Sequence, residues 1–592
     1  MEKQGHFKTR LWQNLRSECN ASLKLNPLPR SDLRSFHLLN ATQFLGALND
    51  NVFKLLVIFM LINVKGPAAT NTILSLAGAI FVIPFLLFSA SSGILADRLS
   101  KQSIIIFTKV FELFCMSFGL IAILFESEIG AYSALFFMAT QSAIFGPSKY
   151  GIILELVEPK MVSKANGTLT SATYLAIILG TFLASFIADI TNKNYVLEAG
   201  FCVIIAIIGL ITSLGIKRTA PQNSPKKINP LFLYEIYQTV RFSWDVPHLL
   251  PTIFGSSFFL FIGAFTQLNI IPFAMQSLGL TEVGGGYLFL AMAVGIAIGA
   301  VLAGQISKDK VEPGLSCITG FFVALLFTAL YLFSWSLIAT LCILTLLGMF
   351  GGAFLIPFDS FIQLNSPHER RGQVIAANNF FSFIGVLFAA IALYLFSEKW
   401  GFSASSGFFI MGIIMLVVNI GLTGRLSTFF FPFFVKRILK RFRAPVHKAP
   451  LPSQTTILLL ESNSWLDAIL LFAFFPNLKI LVPGILLRNF PWVNGFIDSI
   501  QLAPQNVSTL KGENKLFSRI EKLQAKGNTV CVFVHKNNES SLIDAYKKAL
   551  KTSAFPVAFV HGKKEKIEMK FLGKRWTKKQ ITFQFEQEHS KE

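Results

Sequence analysis

Twelve separate runs of about 20 apolar residues, each the length needed to cross roughly 30 Å of hydrocarbon, dominate this 592-residue chain. They fall near 37–63, 72–96, 103–125, 131–153, 168–190 and 198–216, then 249–276, 283–306, 314–335, 337–358, 374–397 and 404–424. Inside a bilayer each segment must satisfy its own backbone polar groups, so each run is expected to be a helix. A mean hydropathy of +0.57 with only 14% charged residues excludes a soluble protein of this size. The fold class expected is an all-α polytopic membrane protein, followed by a smaller α/β region at the C-terminus. The six cysteines form no CxxC pair and no cluster with histidine, so neither a disulfide framework nor a metal site is expected, and no cofactor is implied. The 62 phenylalanines are read as biased codon usage rather than a lipid-binding surface.

About 35 polar and basic residues precede the first run without a cleavage-like site, so the first span is expected to serve as an uncleaved insertion signal. Basic residues then orient the chain. The N-terminal tail (1–36) carries Lys3, Lys8, Arg10, Arg16, Lys24, Arg30 and Arg34, and alternate loops carry Arg98 and Lys101, Lys160 and Lys164, Lys217 to Lys227, Lys308 and Lys310, and Arg370 and Arg371. Both termini are therefore expected on the cytoplasmic side. The Pro-rich basic stretch KRTAPQNSPKKINP opens a central loop, 217–248, between the six spans of 37–216 and the six of 249–424. The halves also repeat at residue level. FGPSKYGIILELVEPKMVSKANG (145–167) and IPFDSFIQLNSPHERRGQVIAANN (356–379) each place a Pro near a helix end, then a second Pro, a charged loop and an Ala-Asn pair. Parallel halves of this kind are typical of secondary transporters.

The first span opens with an anomaly, because NDNVFK places Asn49, Asp50, Asn51 and Lys54 inside it. A charge there costs on the order of 2.5–3.5 kcal/mol even on the mildest insertion scale, so it marks a functional site. Asp50 and Lys54 stand four apart and share one helix face, with Asn51 flanking them. The second span ends in GILADRLSKQ (93–102), which resembles the short loop between helices two and three of the major facilitator superfamily. Locally, Gly93 permits close helix packing and Asp97 can accept bonds from backbone donors at a neighbouring helix end. Arg98 and Lys101 are expected to face the anionic inner leaflet.

The blocks NDNVFK (49–54), FGPSKYGIILEL (145–156) and KANGTLTSATYLAIILGTFLA (164–184) resemble the lysophospholipid transporter family over roughly residues 36 to 425. The resemblance implies a twelve-helix major facilitator fold. It also implies inward movement of lysophospholipid, notably lysophosphatidylethanolamine, across the bacterial inner membrane. The acid and lysine that it implicates fall on Asp50 and Lys149, with Tyr150 and Glu155 following Lys149. A zwitterionic headgroup suits this set, because lysine holds phosphate as a compact charge and a carboxylate accepts from ammonium. The alternative is an interhelical Asp50–Lys149 lock that touches no ligand. Gln141, Asn166, Thr170, Gln267, Asn269, Gln363 and Asn378 are read individually as helix–helix glue. Proton coupling and gradient-driven movement both stay open.

Past the last span, RLSTFFFPFFVKRILKRFR (425–443) sets aromatic residues beside a basic face, and the segment 425–450 is expected to lie on the inner leaflet. Residues 451–592 show strand-like runs at 456–460, 478–482, 529–534 and 556–560. This tail resembles a glycerolipid acyltransferase domain in which an N-H-x-S-x-x-D block supplies a general-base histidine. Here the block reads ESNSWLD (461–467). Ser464 and Asp467 remain, and Ser462 stands where the base belongs. A serine cannot take that proton at neutral pH. FIDS (496–499) and FVHKNN (533–538) depart further from the enzyme pattern, so a catalytically dead domain is expected. Lysophospholipid and membrane lipids are the partners expected, with a separate lipid acyltransferase or acyl-carrier also considered. Nucleic-acid binding is the poorer reading of the net charge of +21. A membrane-anchored 1-acylglycerophospholipid acyltransferase and a transporter of another small polar solute are the alternative functions.

Overall fold

The computed structural model describes residues 32–66, 69–222, 224–226, 231–307, 310–439, 443–447, 457–462, 465–475, 477–483, 497–503, 509–525, 528–535, 548, 557–571 and 574–588. The basic tail up to Ser31, Lys308, Ser464 and His589 lie outside the described residues. Twelve of the described helices are long and apolar enough to cross a membrane. The first six are α1 (Leu33–Lys65), α2 (Thr70–Arg98), α3 (Lys101–Leu124), α4 (Glu128–Leu156), α5 (Val162–Ile190) and α6 (Tyr195–Leu214). After α7 (Phe232–Asp245) come α8 (Leu249–Leu278), α9 (Glu282–Ser307), α10 (Pro313–Leu332), α11 (Leu337–Asn365), α12 (Arg371–Tyr394) and α13 (Ala404–Arg425). Several helices outrun their apolar windows. α1 starts at Leu33 because Asp32 caps it, its Oδ1 accepting the Ser35 N–H at 3.1 Å. α11 continues to Asn365, since a helical backbone satisfies itself beyond the hydrocarbon edge. Pro84, Pro147, Pro272 and Pro357 sit inside spans without ending them.

The chain divides into two compact units, residues 1–311 with 322–412 and residues 312–321 with 413–592. In the first unit the two sets of helices meet at the end of the bundle that carries the 93–102 loop, here called the loop end. Asp97 is fully buried there. Its Oδ1 accepts the Gly372 N–H at 2.6 Å, and its Oδ2 accepts the Gln373 N–H at 3.0 Å and Nε2 at 3.2 Å. The first turn of a helix leaves donors without intrahelical acceptors, so Asp97 caps α12 from the opposite half. Gly93 lets the backbones touch, since a Cβ there would stand 2.6 Å from the Ala376 Cβ and 2.7 Å from the Gly372 carbonyl. Asn166 and Gln363 exchange amide hydrogen bonds at 3.1 and 2.9 Å between α5 and α11. Arg98 is exposed, but Lys101 is buried and pairs with Glu155 at 2.5 Å. The expectation that Lys101 faces lipid is corrected, because an acid on α4 neutralises it inside the bundle.

Replacing Asp97 with alanine strands two backbone donors, at a cost of about 1–3 kcal/mol. The expected result is faster amide exchange over 371–376 with the rest of the bundle unchanged.

In the second unit, the described residues of the tail form a seven-stranded sheet. Its strands are β1 (Arg443–His447), β2 (Ile457–Ser462), β3 (Leu478–Pro483), β4 (Ile500–Ala503), β5 (Thr529–His535), β6 (Val557–Phe571) and β7 (Lys574–Glu588), in the order β1-β7-β6-β2-β5-β3-β4. All pairs are parallel except β6 with β7. Four strands fall on the apolar runs read from the sequence, and two helices, α15 (Trp465–Leu470) and α16 (Leu510–Gln524), accompany them. The segment after α13 departs from expectation. Helix α14 (Ser427–Phe434) stacks Phe431 on Phe472 at 5.1 Å, and Phe431 and Val435 join the apolar cluster of Leu458, Leu460 and Ile480. The sheet face offers this apolar side a dry partner, so it covers the tail's own core while Lys436 and Arg437 stay exposed.

Candidate substrate site

Two polar layers occupy the middle of the first unit. The inner one is closed to solvent, and its charged pair was not singled out in the sequence. Lys109 and Glu112 on α3, each 1% exposed, pair at 2.5 Å. Glu112 also accepts from Asn49 Nδ2 at 3.1 Å and Gln141 Nε2 at 3.5 Å. Gly46 on α1 makes room for the Lys109 ammonium, because a Cβ at that position would collide with it. Two opposite charges at i and i+3 inside the apolar run FTKVFELF were the available signal, since such a pair can only be neutralised in place.

The second layer keeps partial solvent access and contains the expected residues. Asp50 Oδ2 accepts from Ser142 Oγ at 2.7 Å, while its buried Oδ1 has no partner. Lys149 Nζ sits 4.7 Å from the centre of the Tyr150 ring and 5.6 Å from that of Phe145, whose ring also lies 5.3 Å from Lys109 Nζ. Lys54 lies over Phe81 at 5.5 Å. Asp50 and Lys149 are within electrostatic reach of one another but form no direct ion pair, so no Asp50–Lys149 lock is closed in this structure. Asn51 turns back to its own helix, donating to the Ala47 carbonyl at 2.7 Å. Glu155 does not join the group, since its partners are Lys101 and Gln222 at the loop end.

A residue that sequence reasoning passed over completes the layer. Asp359 on α11 accepts from Ser256 Oγ at 2.7 Å and is within electrostatic reach of Lys149, Tyr150 and Tyr174. Lys149 stands two residues after Pro147, and Asp359 stands two after Pro357. The internal repeat thus places a base and an acid at equivalent positions of α4 and α11. Lys149 faces one acid from each half of the molecule. Among the other polar candidates, Asn378 Nδ2 donates to Ser256 Oγ at 3.2 Å and Asn269 Nδ2 to the Ala404 carbonyl at 2.8 Å between helices, whereas the Thr170 hydroxyl is buried without a partner and Gln267 is exposed.

The sequence profile of the Major Facilitator Superfamily matches residues 39–390, more than half of the chain. The chain belongs to the Major Facilitator Superfamily. This membership makes the helical bundle a membrane transporter rather than an enzyme. Curated relatives include the lysophospholipid transporters LplT of Yersinia pestis (strain Pestoides F) and Yersinia pseudotuberculosis serotype O:3 (strain YPIII). Each is 25% identical over 375 residues, covering 62% of this chain and 88% of the relative. Solved structures of the same fold include the human organic anion transporter MFSD10, with a TM-score of 0.56 at 13% identity over 65% of this chain and 99% of that one. A bacterial homologue of the iron transporter ferroportin in its outward-facing state gives 0.55 at 14% identity, over 66% and 99% of the two chains.

In the tail of this superfamily member, the Ser462 hydroxyl donates to Asp467 Oδ2 at 2.5 Å. Asp498 of the FIDS block pairs with Lys479 at 2.6 Å and accepts from Thr428 Oγ1 at 2.8 Å, and the Ser499 N–H donates to Ser427 Oγ at 2.9 Å. These side chains tie the start of α14 to the sheet.

Proposed function

We propose that this transporter moves lysophospholipid, with lysophosphatidylethanolamine the expected substrate, inward across the bacterial inner membrane by alternating access. The observation that carries the reading is Lys149 within electrostatic reach of both Asp50 and Asp359. A zwitterionic headgroup needs a cation for its phosphate and an anion for its ammonium, and this layer supplies both within one partly accessible interior. The similarity to the LplT proteins supports the lipid class. An apolar crevice of about 310 Å³ between α5 and α9, lined by Ser171, Leu175, Ile178, Val294 and Ile298, suits an acyl chain. With both termini cytoplasmic, as the charge bias implies, the Asp97 and Asn166 contacts hold the inner end shut.

The tail is read as a degenerate acyltransferase-like domain, because the side chain in the base position is a hydroxyl committed to Asp467. A separate lipid acyltransferase or acyl-carrier partner then consumes the delivered lysolipid. Proteoliposomes given labelled lysophosphatidylethanolamine are expected to show saturable uptake that unlabelled lysolipid competes away and an equal concentration of sugar does not. Asp50→Asn is expected to lose that uptake, and an added acyl donor yields no diacyl product. Equal uptake by wild type and Asp50→Asn ends the headgroup role of Asp50, and diacyl product ends the reading of the tail.

A further inference from the structure

The central loop holds a helix that the sequence reading left unassigned. α7 is amphipathic, and its inner stripe of Phe232, Ile236, Thr239 and Ser243 turns toward the bundle. Ile236 packs with Ala90 of α2 and with Ala377 and Phe380 of α12. The Arg370 guanidinium, just before α12, lies 4.6 Å from the centre of the Phe242 ring. α7 therefore bridges α2 and α12, the two helices that Asp97 latches together. A second link reaches the latch itself. Lys226 pairs with Glu235 of α7 and donates to Gln373 Oε1 at 3.0 Å, and the Gln373 N–H is one of the Asp97 donors.

The outer stripe has no protein partner among the described residues. Leu233, Tyr237 and Trp244 are 59%, 60% and 76% exposed, with Arg241 at i+4 from Tyr237 in the same stripe. Tyrosine and tryptophan favour the headgroup level of a bilayer, where one end of the ring is apolar and the other wet. An amphipathic helix with such a face and a basic side chain lies in the interface plane. Near an anionic leaflet, each basic residue adds about 1 kcal/mol of attraction, and Arg241 is placed to supply it through a snorkelling side chain.

We propose that α7 is a lipid-anchored clamp: its Leu233–Tyr237–Arg241–Trp244 stripe seats in the headgroup layer of anionic phospholipid at the loop end. Its inner stripe then holds α2 against α12. Separation of the two halves at that end pulls Ile236 off one of its two supports, so attachment of α7 to the membrane favours the latched state.

Two readouts test this without measuring transport, so they stand apart from the lysolipid reading. The full chain is reconstituted in vesicles of phosphatidylcholine alone or with phosphatidylglycerol. In the mixed vesicles, lipids brominated near the headgroup are expected to quench the fluorescence difference between wild type and Trp244→Phe. Amide exchange over 371–376 is expected to be about tenfold slower with phosphatidylglycerol than without, within the usual range of coupling between sites. The triple variant Leu233→Ser, Tyr237→Ser, Trp244→Ser changes exposed positions only and is expected to keep its thermal midpoint while losing the lipid dependence. An unquenched Trp244, or exchange indifferent to lipid and to the triple variant, overturns the clamp. A fall in oligomeric mass in the triple variant without any loss of quenching assigns the stripe to a second copy instead and equally overturns it.

Discussion

Glu112→Ala is expected to destabilise the transporter more than any other single substitution in the first six helices. The carboxylate is 1% exposed and accepts from Lys109, Asn49 and Gln141, so its removal leaves the Lys109 ammonium buried beside the Phe145 ring without an ion-pair partner, Asp50 being within electrostatic reach only. Breaking a buried pair by deleting one partner costs about 3–5 kcal/mol, and net stabilities are themselves only about 5–15 kcal/mol. Glu112→Gln retains acceptor capacity without the charge and should fall between wild type and alanine. The double replacement Lys109→Met with Glu112→Leu removes both desolvation costs, so it should recover most of the loss. Thermal midpoints of the purified protein in detergent, followed by size-exclusion recovery, separate the cases. If the single and double variants melt alike, the pair is not the stabilising unit.

That pair also shows where sequence reasoning stopped. The spans were legible because a bilayer imposes one length and one polarity on every crossing. Asp97 was legible because a helix end has unmet donors that an acid can satisfy. Lys109 and Glu112 escaped although their i and i+3 spacing on one helix was visible, because their burial against Asn49 and Gln141 of neighbouring helices is a tertiary fact. Glu155 was grouped with Lys149 by proximity in the chain, yet six residues of helix advance it about 9 Å and turn it about 240°. That places it at the loop end beside Lys101 instead. α7 escaped because fourteen residues of mixed polarity resemble neither a span nor a linker. Its helical spacing becomes meaningful only once α2 and α12 are known to lie under it.

Asp359 is the most instructive omission, and it leads to the second large effect. The repeat was read from its prolines and its Ala-Asn pairs, and the position two residues past each proline was passed over. Lys149→Ala removes the base that lies within electrostatic reach of both Asp50 and Asp359. Lys149→Asp adds a third acid to the same interior. An uncompensated buried charge costs about 3–5 kcal/mol, the low end applying to this partly accessible layer, and each 1.4 kcal/mol is about a factor of ten. Uptake is therefore expected to fall at least about 100-fold in either variant, provided both still reach the membrane. Asp359→Lys alone sets two lysines at the pseudo-symmetric positions and is expected to fall comparably. Because the two sites are equivalent in the repeat, exchanging them in the double variant Lys149→Asp, Asp359→Lys restores the count of one base and two acids. Recovery of at least about tenfold over either single variant is the expected result, measured as labelled lysolipid uptake per reconstituted molecule. A double variant no better than its parents means that Lys149 serves the phosphate from α4 alone, and that Asp359 belongs with its Ser256 partner in the scaffold of the second half.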